Sequence, residues 1–555
     1  MSEISRRRFL FGSALATTCL LGTTSSAAAE EAAEGWWGTD PEIPSAFDAE
    51  FDVDVVVVGL GMAGVCATRS ACEEGASVVV FEKGPKFGLA STCIAAWGSK
   101  MWLEHYPECE KFWQPDQLMA TFARQTLGRS NSNIMKRWME RNGETFDWFF
   151  SAMDESYVWG PGGTTSPLMP ETGDTPTIQE VSYPYPKNYD PSREYYPCFP
   201  GCVDMLPDNT PFLEACMDKA YAAAGDKLRV LQDTPAVKLL VEKGRVTGVV
   251  AHGFDGTWYK ANAKSGVILA TGDFFGDEKM VDALLPRKYG PSIMHSFWAP
   301  CDAEGNQLNT GDGHKMATRV GAMMQLDGAA MSHFVGGSAG RIFGTMPFLY
   351  LDVNGKRFMN EDVQGQQLVE RTREVPQQRI YQIFDSNWVD HRDDFPYGHG
   401  KRPEVTPEEL EYSVEHGGFL RFDTLDDLLG SIDVDVEAAK KSIDRYNTLC
   451  HEGRDVDFGK APHHLWPVEQ PPFYCDVYDV QDLMFNDLVT VSGLESDEDA
   501  HVYDQDFDVI PGLYVAGNTQ GGRFALEYPE VLEGLSLGMA MVYGRIAGCN
   551  AAMGI

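Results

Sequence analysis

The chain has 555 residues, 43% of them hydrophobic, enough for a large core and more than one domain. It carries 82 acidic against 45 basic residues, a formal net charge of −37. That balance argues against nucleic acid and anionic membrane surfaces as partners, and permits docking to a basic protein. Twelve cysteines are present, but no Cys-x-x-Cys-His and no ferredoxin-like run, so neither an attached c-type haem nor an iron–sulfur cluster is expected. Cys198 and Cys202 are the closest pair. They read as two ordinary thiols in preference to a disulfide or half a metal site, and no metal is expected.

In chain order, Ser5-Arg6-Arg7-Arg8-Phe9-Leu10 precedes an apolar run from Phe11 to Gly22, then the small residues Ala27-Ala28-Ala29. This pattern reads as a twin-arginine export signal over residues 1–29. The run is too short for a permanent membrane helix, and Cys19 lies in a poor lipoprotein context. The expectation is a product without stable membrane insertion, in the periplasm or at the outer face of the cytoplasmic membrane. Cleavage after residue 29 removes Glu3 and three arginines, so −37 minus +2 leaves about −39. Residues 30–51 read as a tether.

Asp54 to Val58 is a short strand-type run. Gly59-Leu60-Gly61-Met62-Ala63-Gly64 follows, then a helical stretch from Val65 to Gly75 with Val65, Ala67, Ala71 and Cys72 on one face. Val78 to Phe81 is a second strand, ended by Glu82 and Lys83. Strand, Gly-x-Gly-x-x-Gly, helix, strand and acid in this order form a dinucleotide-binding fingerprint. The glycines let the backbone approach a pyrophosphate, the helix start faces its charge, and Glu82 can accept from ribose hydroxyls. Residues 111–153 read as amphipathic helices, and residues 183–202 as a Pro- and Tyr-rich loop near a pocket.

Further on, Ser265 to Asp273 is a buried strand ending in a turn at Ala270-Thr271-Gly272, and Asn309-Thr310-Gly311-Asp312-Gly313 follows. Gly355-Lys356-Arg357-Phe358-Met359-Asn360-Glu361, Gly512 to Asn518 with Gly517, and Gly544-Arg545-Ile546-Ala547-Gly548 complete the pattern. From about residue 52 to the C-terminus the chain resembles the fumarate reductase/succinate dehydrogenase flavoprotein superfamily. That group includes flavocytochrome c, urocanate reductases and 3-ketosteroid dehydrogenases. The resemblance implies an α/β fold: a Rossmann-like FAD-binding domain split between residues 52–325 and 490–555. An α+β clamp domain, residues 326–489, would be inserted and would close over the flavin.

The resemblance also implies a site. Thr92 stands where covalent members carry their flavin-bonding histidine, so FAD is expected to be non-covalent. Leu535, Ser536 and Leu537 open the last helix, whose backbone amides and dipole would face the flavin pyrimidine. The residues matching the dicarboxylate anchors and acid of fumarate reductases are Gly365, Val489 and Tyr528, so fumarate is a poor candidate. Tyr528-Pro529 resembles the ketosteroid dehydrogenase loop whose tyrosine binds the ketone, and Arg523 and Glu527 flank it. His333 and Arg341 fall in the stretch that bears substrate ligands in the superfamily.

The expectation is an exported FAD reductase acting on the C=C bond of a small α,β-unsaturated carbonyl compound, in anaerobic respiration or detoxification. Electrons would come from a membrane quinol-linked or cytochrome partner coded elsewhere, since no second dinucleotide fingerprint is visible. Two alternatives stand beside it: a ketosteroid-type dehydrogenase running oxidatively, and a flavoprotein electron-transfer subunit.

Overall fold

The computed structural model describes residues 35–86, 92–153, 157–160, 175–180, 199–285, 301–302, 306–326, 330–334, 342–363, 365–396, 405–479, 485–524, 528–529 and 531–555. The export signal, Cys198, Arg341 and Glu527 lie outside them.

The fold is mixed α/β around a parallel sheet. Strand β1 (Ala49–Val58) leads into helix α1 (Met62–Glu73) and β2 (Val78–Phe81); β3 (Leu228–Leu231) and β4 (Trp258–Leu269) come later. Val55 to Val58 are buried on both faces, as an unbroken β-branched run in a covered parallel sheet must be. β1 starts five residues before the apolar run suggests, at Ala49. Glu50 and Asp52 alternate outward with Phe51 and Val53 between them, a period-2 pattern that a search for continuous apolar runs passes over, and residues 49–53 pair with Tyr259–Ala263 of β4. The end of the expected tether is therefore sheet. Upstream, Asp40 also contacts the body, 2.6 Å from Lys238.

Helix α2 (Asp312–Arg319) follows, and the chain then leaves this body along β5 (Ala330–Phe334). The inserted unit has its own antiparallel sheet of Leu349–Asp352, Arg379–Asp385, Phe473–Asp479 and Leu420–Phe422, in that spatial order. Helix α3 (Val436–Glu452) packs Ala439, Ile443, Tyr446 and Leu449 against one side of it. Phe343, Phe348, Phe384, Phe395 and Trp466 form an aromatic layer elsewhere in the unit. The chain returns along β6 (Phe485–Thr490), antiparallel to β5, so one two-stranded ribbon carries both crossings. β7 (Val509–Val515) then joins β4 in the main sheet. The spatial order is His501–Tyr503, β7, β4, β1, β2, β3, with the hairpin of Ala236–Glu242 and Arg245–His252 on the first half of β4.

The last helix, α4 (Leu535–Met553), lies against α1. A Cβ on Gly544 would sit 2.3 Å from the Ala63 carbonyl oxygen, and one on Gly548 would sit 2.1 Å from Ser70 Oγ. Glycines four apart on one helix face let the two backbones touch. The crossing puts the start of α4 beside the end of β1. Among the described residues, no helix is long and apolar enough to cross a membrane.

Candidate functional site

The cradle forms where β1, β2, β4 and β7 end, the place where open α/β sheets bind ligands. Its three glycines have different duties. A Cβ on Gly59 would meet the Ala270 carbonyl oxygen at 2.3 Å, and one on Gly64 would meet the Gly59 carbonyl oxygen at 2.0 Å. Those two hold the turn closed. A Cβ on Gly61 would meet nothing within 4 Å. Gly61 leaves room in front of the first turn of α1, where Met62 and Ala63 are buried.

Glu82 Oε2 accepts from Leu60 N at 2.5 Å and Oε1 from Gly84 N at 2.7 Å. Burial pushes its carboxyl above the usual range. It ties the glycine turn to the end of β2 and keeps lone pairs for further hydrogen bonds. Lys83 Nζ reaches Thr310 Oγ1 at 2.7 Å and Asp312 Oδ2 at 2.9 Å, so Lys83 and Asp312 bridge β2 and α2. Ala270 N donates to the Val58 carbonyl at 2.8 Å. Thr519 Oγ1 donates to the Gly272 carbonyl at 2.9 Å and lies 3.1 Å from Thr271 Oγ1. The turns Ala270-Thr271-Gly272 and Gly517-Asn518-Thr519 are thereby knitted side by side.

The start of α4 forms the other end of the site. Its cap Gly534 has φ +69°, and a Cβ there would strike the Ile94 carbonyl carbon at 2.6 Å. The strand Cys93–Ala95 lies against it, with Ala95 N donating to the Gly534 carbonyl at 3.1 Å. Thr92 precedes that strand and hydrogen-bonds Asp204 at 3.2 Å; it offers no ring nitrogen for a covalent link. Tyr528 is 8% exposed, and its Oη accepts from Ser536 N at 3.0 Å. Its ring meets Phe524 edge-on at 5.0 Å. Asn518 Oδ1 accepts from Ser536 Oγ at 3.2 Å and from Arg523 Nη2 at 3.0 Å. Leu535 and Leu537 are buried beside them. The structure thus brings Tyr528, Ser536 and Asn518 together, with Arg523 joined to them.

The remaining candidates stand elsewhere. His333 lies on β5 in register with Asn486, and Val489 lies opposite Met331, so both belong to the ribbon between the two units. Gly365 opens the helix Gly365–Thr372. Cys202 is a buried free thiol, and among the described residues no group of three His, Cys, Asp or Glu side chains could hold a metal.

Sequence reasoning missed a set of buried polar groups without partners, which are rare in native proteins. Neither ring nitrogen of His314 has one, nor have Asn309 Oδ1, Ser492 Oγ or Arg523 Nη1. Burial pushes His314 down to about 3, so it is neutral. Burial also pushes Asp273 up to about 6; it bonds Asn309 Nδ2 and accepts from Thr490 N at 3.1 Å. His314 directly follows Gly311-Asp312-Gly313 but carries no signal of its own, and Arg523 enters the sequence reading only as a flank of Tyr528. Room at Gly61, donors and acceptors at the turns, and these orphan groups fit a ligand with phosphates, hydroxyls and a heteroaromatic ring.

The Gly355 to Glu361 motif is a staple within the inserted unit. Arg357 binds Glu361 through Nε at 2.7 Å and Nη2 at 2.6 Å, and Nη2 also reaches Asp455 at 2.8 Å. Lys460 Nζ lies 3.5 Å from Glu361. Burial works against the charges, but the Arg357 bond outweighs it and pulls Asp455 down to about 2.

The chain matches the FAD binding domain family over residues 54–529. It is 26% identical over 606 residues to the digoxin reductase of Eggerthella lenta, covering 99% of this chain and 97% of that protein. It is also 26% identical over 549 residues to the NADH:acrylate oxidoreductase of Vibrio harveyi, covering 91% of this chain but only 50% of that longer protein. The 3-ketosteroid-Δ4-(5α)-dehydrogenase from Rhodococcus jostii RHA1 superposes with a TM-score of 0.65 at 22% identity, over 92% of this chain and 98% of that one. That likeness shows the fold.

Proposed function

Because the chain belongs to the FAD binding domain family and is an FAD-dependent oxidoreductase, we propose that it reduces the C=C bond of an α,β-unsaturated carbonyl compound. FAD, once reduced by two electrons from the donor, would supply a hydride for the β-carbon, and one of this chain's residues would supply the proton that completes the α-carbon. The observation that carries the reading is the placement of Tyr528, whose Oη accepts from Ser536 N at the start of α4. An oxygen that accepts a backbone N–H bond donates its own proton into the next hydrogen bond more strongly. A substrate carbonyl oxygen gaining negative charge there meets the phenol and the positive end of a 19-residue helix. His333 and Arg341 are the candidates for the proton.

The names of the Eggerthella and Vibrio relatives, a digoxin reductase and an acrylate oxidoreductase, support chemistry at an unsaturated bond. Fumarate fits poorly, because Gly365, Val489 and Tyr528 offer no cationic anchor. We further propose that the enzyme works outside the cytoplasmic membrane after twin-arginine export, with a quinol-linked or cytochrome donor coded elsewhere. Arg6→Lys with Arg7→Lys should then keep the precursor in the cytoplasm with FAD bound; normal export of that variant would remove this part.

The test is reoxidation of the chemically reduced enzyme by a panel of unsaturated acids, enones and steroids. A bulkier unsaturated carbonyl compound should react and fumarate should not. Tyr528→Phe should lower the rate by roughly 10²-fold, the scale of one lost oxyanion donor, with FAD content unchanged because Phe keeps the packing on Phe524. Fast fumarate reduction or an undiminished variant defeats the reading. A ketosteroid-type dehydrogenase would use the same phenol on a saturated ketone; it is recognised by turnover with a dye oxidant and none with reduced dye. No turnover with any substrate would favour an electron-transfer subunit.

A further inference from the structure

Arg523 is 1% exposed and has no ion-pair partner among the described residues. Nε donates to the Gln520 carbonyl at 3.0 Å and Nη2 to Asn518 Oδ1 at 3.0 Å, while Nη1 is buried with no acceptor at all. Burial pushes the guanidinium down to about 10, so it stays charged at neutral pH. Among the described residues the ionisable groups it feels are the phenols of Tyr528 and Tyr543 and the neutral His314, none of them a carboxylate. An ion held out of water without a counter-charge is strongly disfavoured. This one is kept in place by Asn518, whose Oδ1 it shares with Ser536 in the first turn of α4. The cation and the positive end of α4 therefore converge on one spot.

We propose that Arg523 is the fixed positive charge that stabilises the reduced cofactor ring. A hydride brings the ring one proton and one electron pair, a net charge of −1, and that charge is the missing partner of Arg523. The proposal rests on the functional reading above, with the FAD ring against the start of α4 as the family resemblance implies. It does not depend on which substrate accepts the hydride.

The test uses purified FAD-loaded protein without substrate. Arg523→Met should weaken binding of reduced relative to oxidised cofactor by tenfold or more, read as a fall in two-electron midpoint potential of about 30 mV per tenfold. Sulfite, which adds to the oxidised ring and leaves it negatively charged, should bind at least tenfold more weakly. Arg523→Lys should recover part of both. Where the Met variant does not fold, Arg523→Gln and Arg523→Lys are read in the same two assays. A folded, FAD-loaded variant with unchanged potential and sulfite affinity overturns the proposal. So does an unchanged potential with a raised KM for carboxylate-bearing substrates alone, which would make Arg523 a substrate anchor. If no unsaturated compound reoxidises the enzyme but the potential still falls in Arg523→Met, the substrate reading fails and this one stands.

Discussion

Arg357 in the inserted unit and Arg523 beside α4 are both shut off from water, and their surroundings could hardly differ more. Arg357 is gripped by Glu361 and Asp455, with Lys460 behind them. Despite burial, those carboxylates push its guanidinium above the usual range, and Asp455 is held at about 2. Among the described residues Arg523 meets carbonyl and amide oxygens but no carboxylate; each arginine leaves a buried Nη1 without a hydrogen bond, so what separates them is the counter-charge. The groups near it tell the same story. Burial moves Asp273 up, Glu82 up and His314 down, each toward its uncharged form. In the inserted unit the folded chain supplies the counter-charges of its buried arginine itself. At the cradle the described residues supply none to Arg523, which is the condition of a site whose ligand brings charge and hydrogen-bonding atoms.

The largest expected effect breaks the cradle alone. Gly61→Val has a side chain that meets no protein atom at its Cβ, so the variant should fold, and should purify without yellow colour. Retained FAD would show that the pyrophosphate lies elsewhere. In wild type, acid precipitation should release all colour into the supernatant, since Thr92 cannot bond the ring.

Next in size is the staple. Arg357→Met strands Glu361, which is fully buried, and Asp455, and should cost about 3–5 kcal/mol. Thermal or denaturant unfolding measures it, while the potential of bound FAD should not move. A neutral result would make the two arginines alike.

A smaller effect is in the pH dependence, with opposite signs in the two regions. Asp455 is depressed, so its stabilisation is present above about pH 4 and fades as pH falls toward about 2. Asp362 is also depressed: burial raises it, but His464 and Lys460 outweigh that. Asp273 is raised to about 6, so it costs stability above that pH, and the cost is relieved as pH falls from 6 to 4. Melting curves of wild type and Asp273→Asn between pH 7 and 3 should converge near pH 4. Parallel curves would refute the assignment. The smallest effect sharpens the comparison most. In apoprotein, Arg523→Met should change stability by no more than about 1 kcal/mol, or raise it, because an unpaired buried charge is removed.

Much was legible in the chain because it is local. The run Val55 to Val58, the glycine turn and Glu82 sit within 30 residues, and period and spacing alone call strand, turn, helix and acid. The start of β1 is missed by a reading of continuous apolar runs alone, although Ala49, Phe51 and Val53 alternate with Glu50 and Asp52 in the period of a half-buried strand. The motif from Gly355 to Glu361 was recognisable as a motif, but not as a salt-bridged staple, since Asp455 and Lys460 lie about a hundred residues away and arrive only through the fold of the inserted unit. Tyr528 was singled out from its neighbours in sequence. Its bond to Ser536 depends on how the loop folds back on α4.

By itself, then, the sequence determined the dinucleotide fingerprint and the sites of close backbone approach, which follow from short-range steric and hydrogen-bonding requirements, while FAD and the split α/β layout came from the resemblance of its later motifs to a flavoprotein superfamily. Tertiary structure alone decided which buried charges find partners. Burial and pairing depend on distant segments meeting, and no pattern along the chain records that, among the described residues, Arg357 meets two carboxylates while Arg523 meets none.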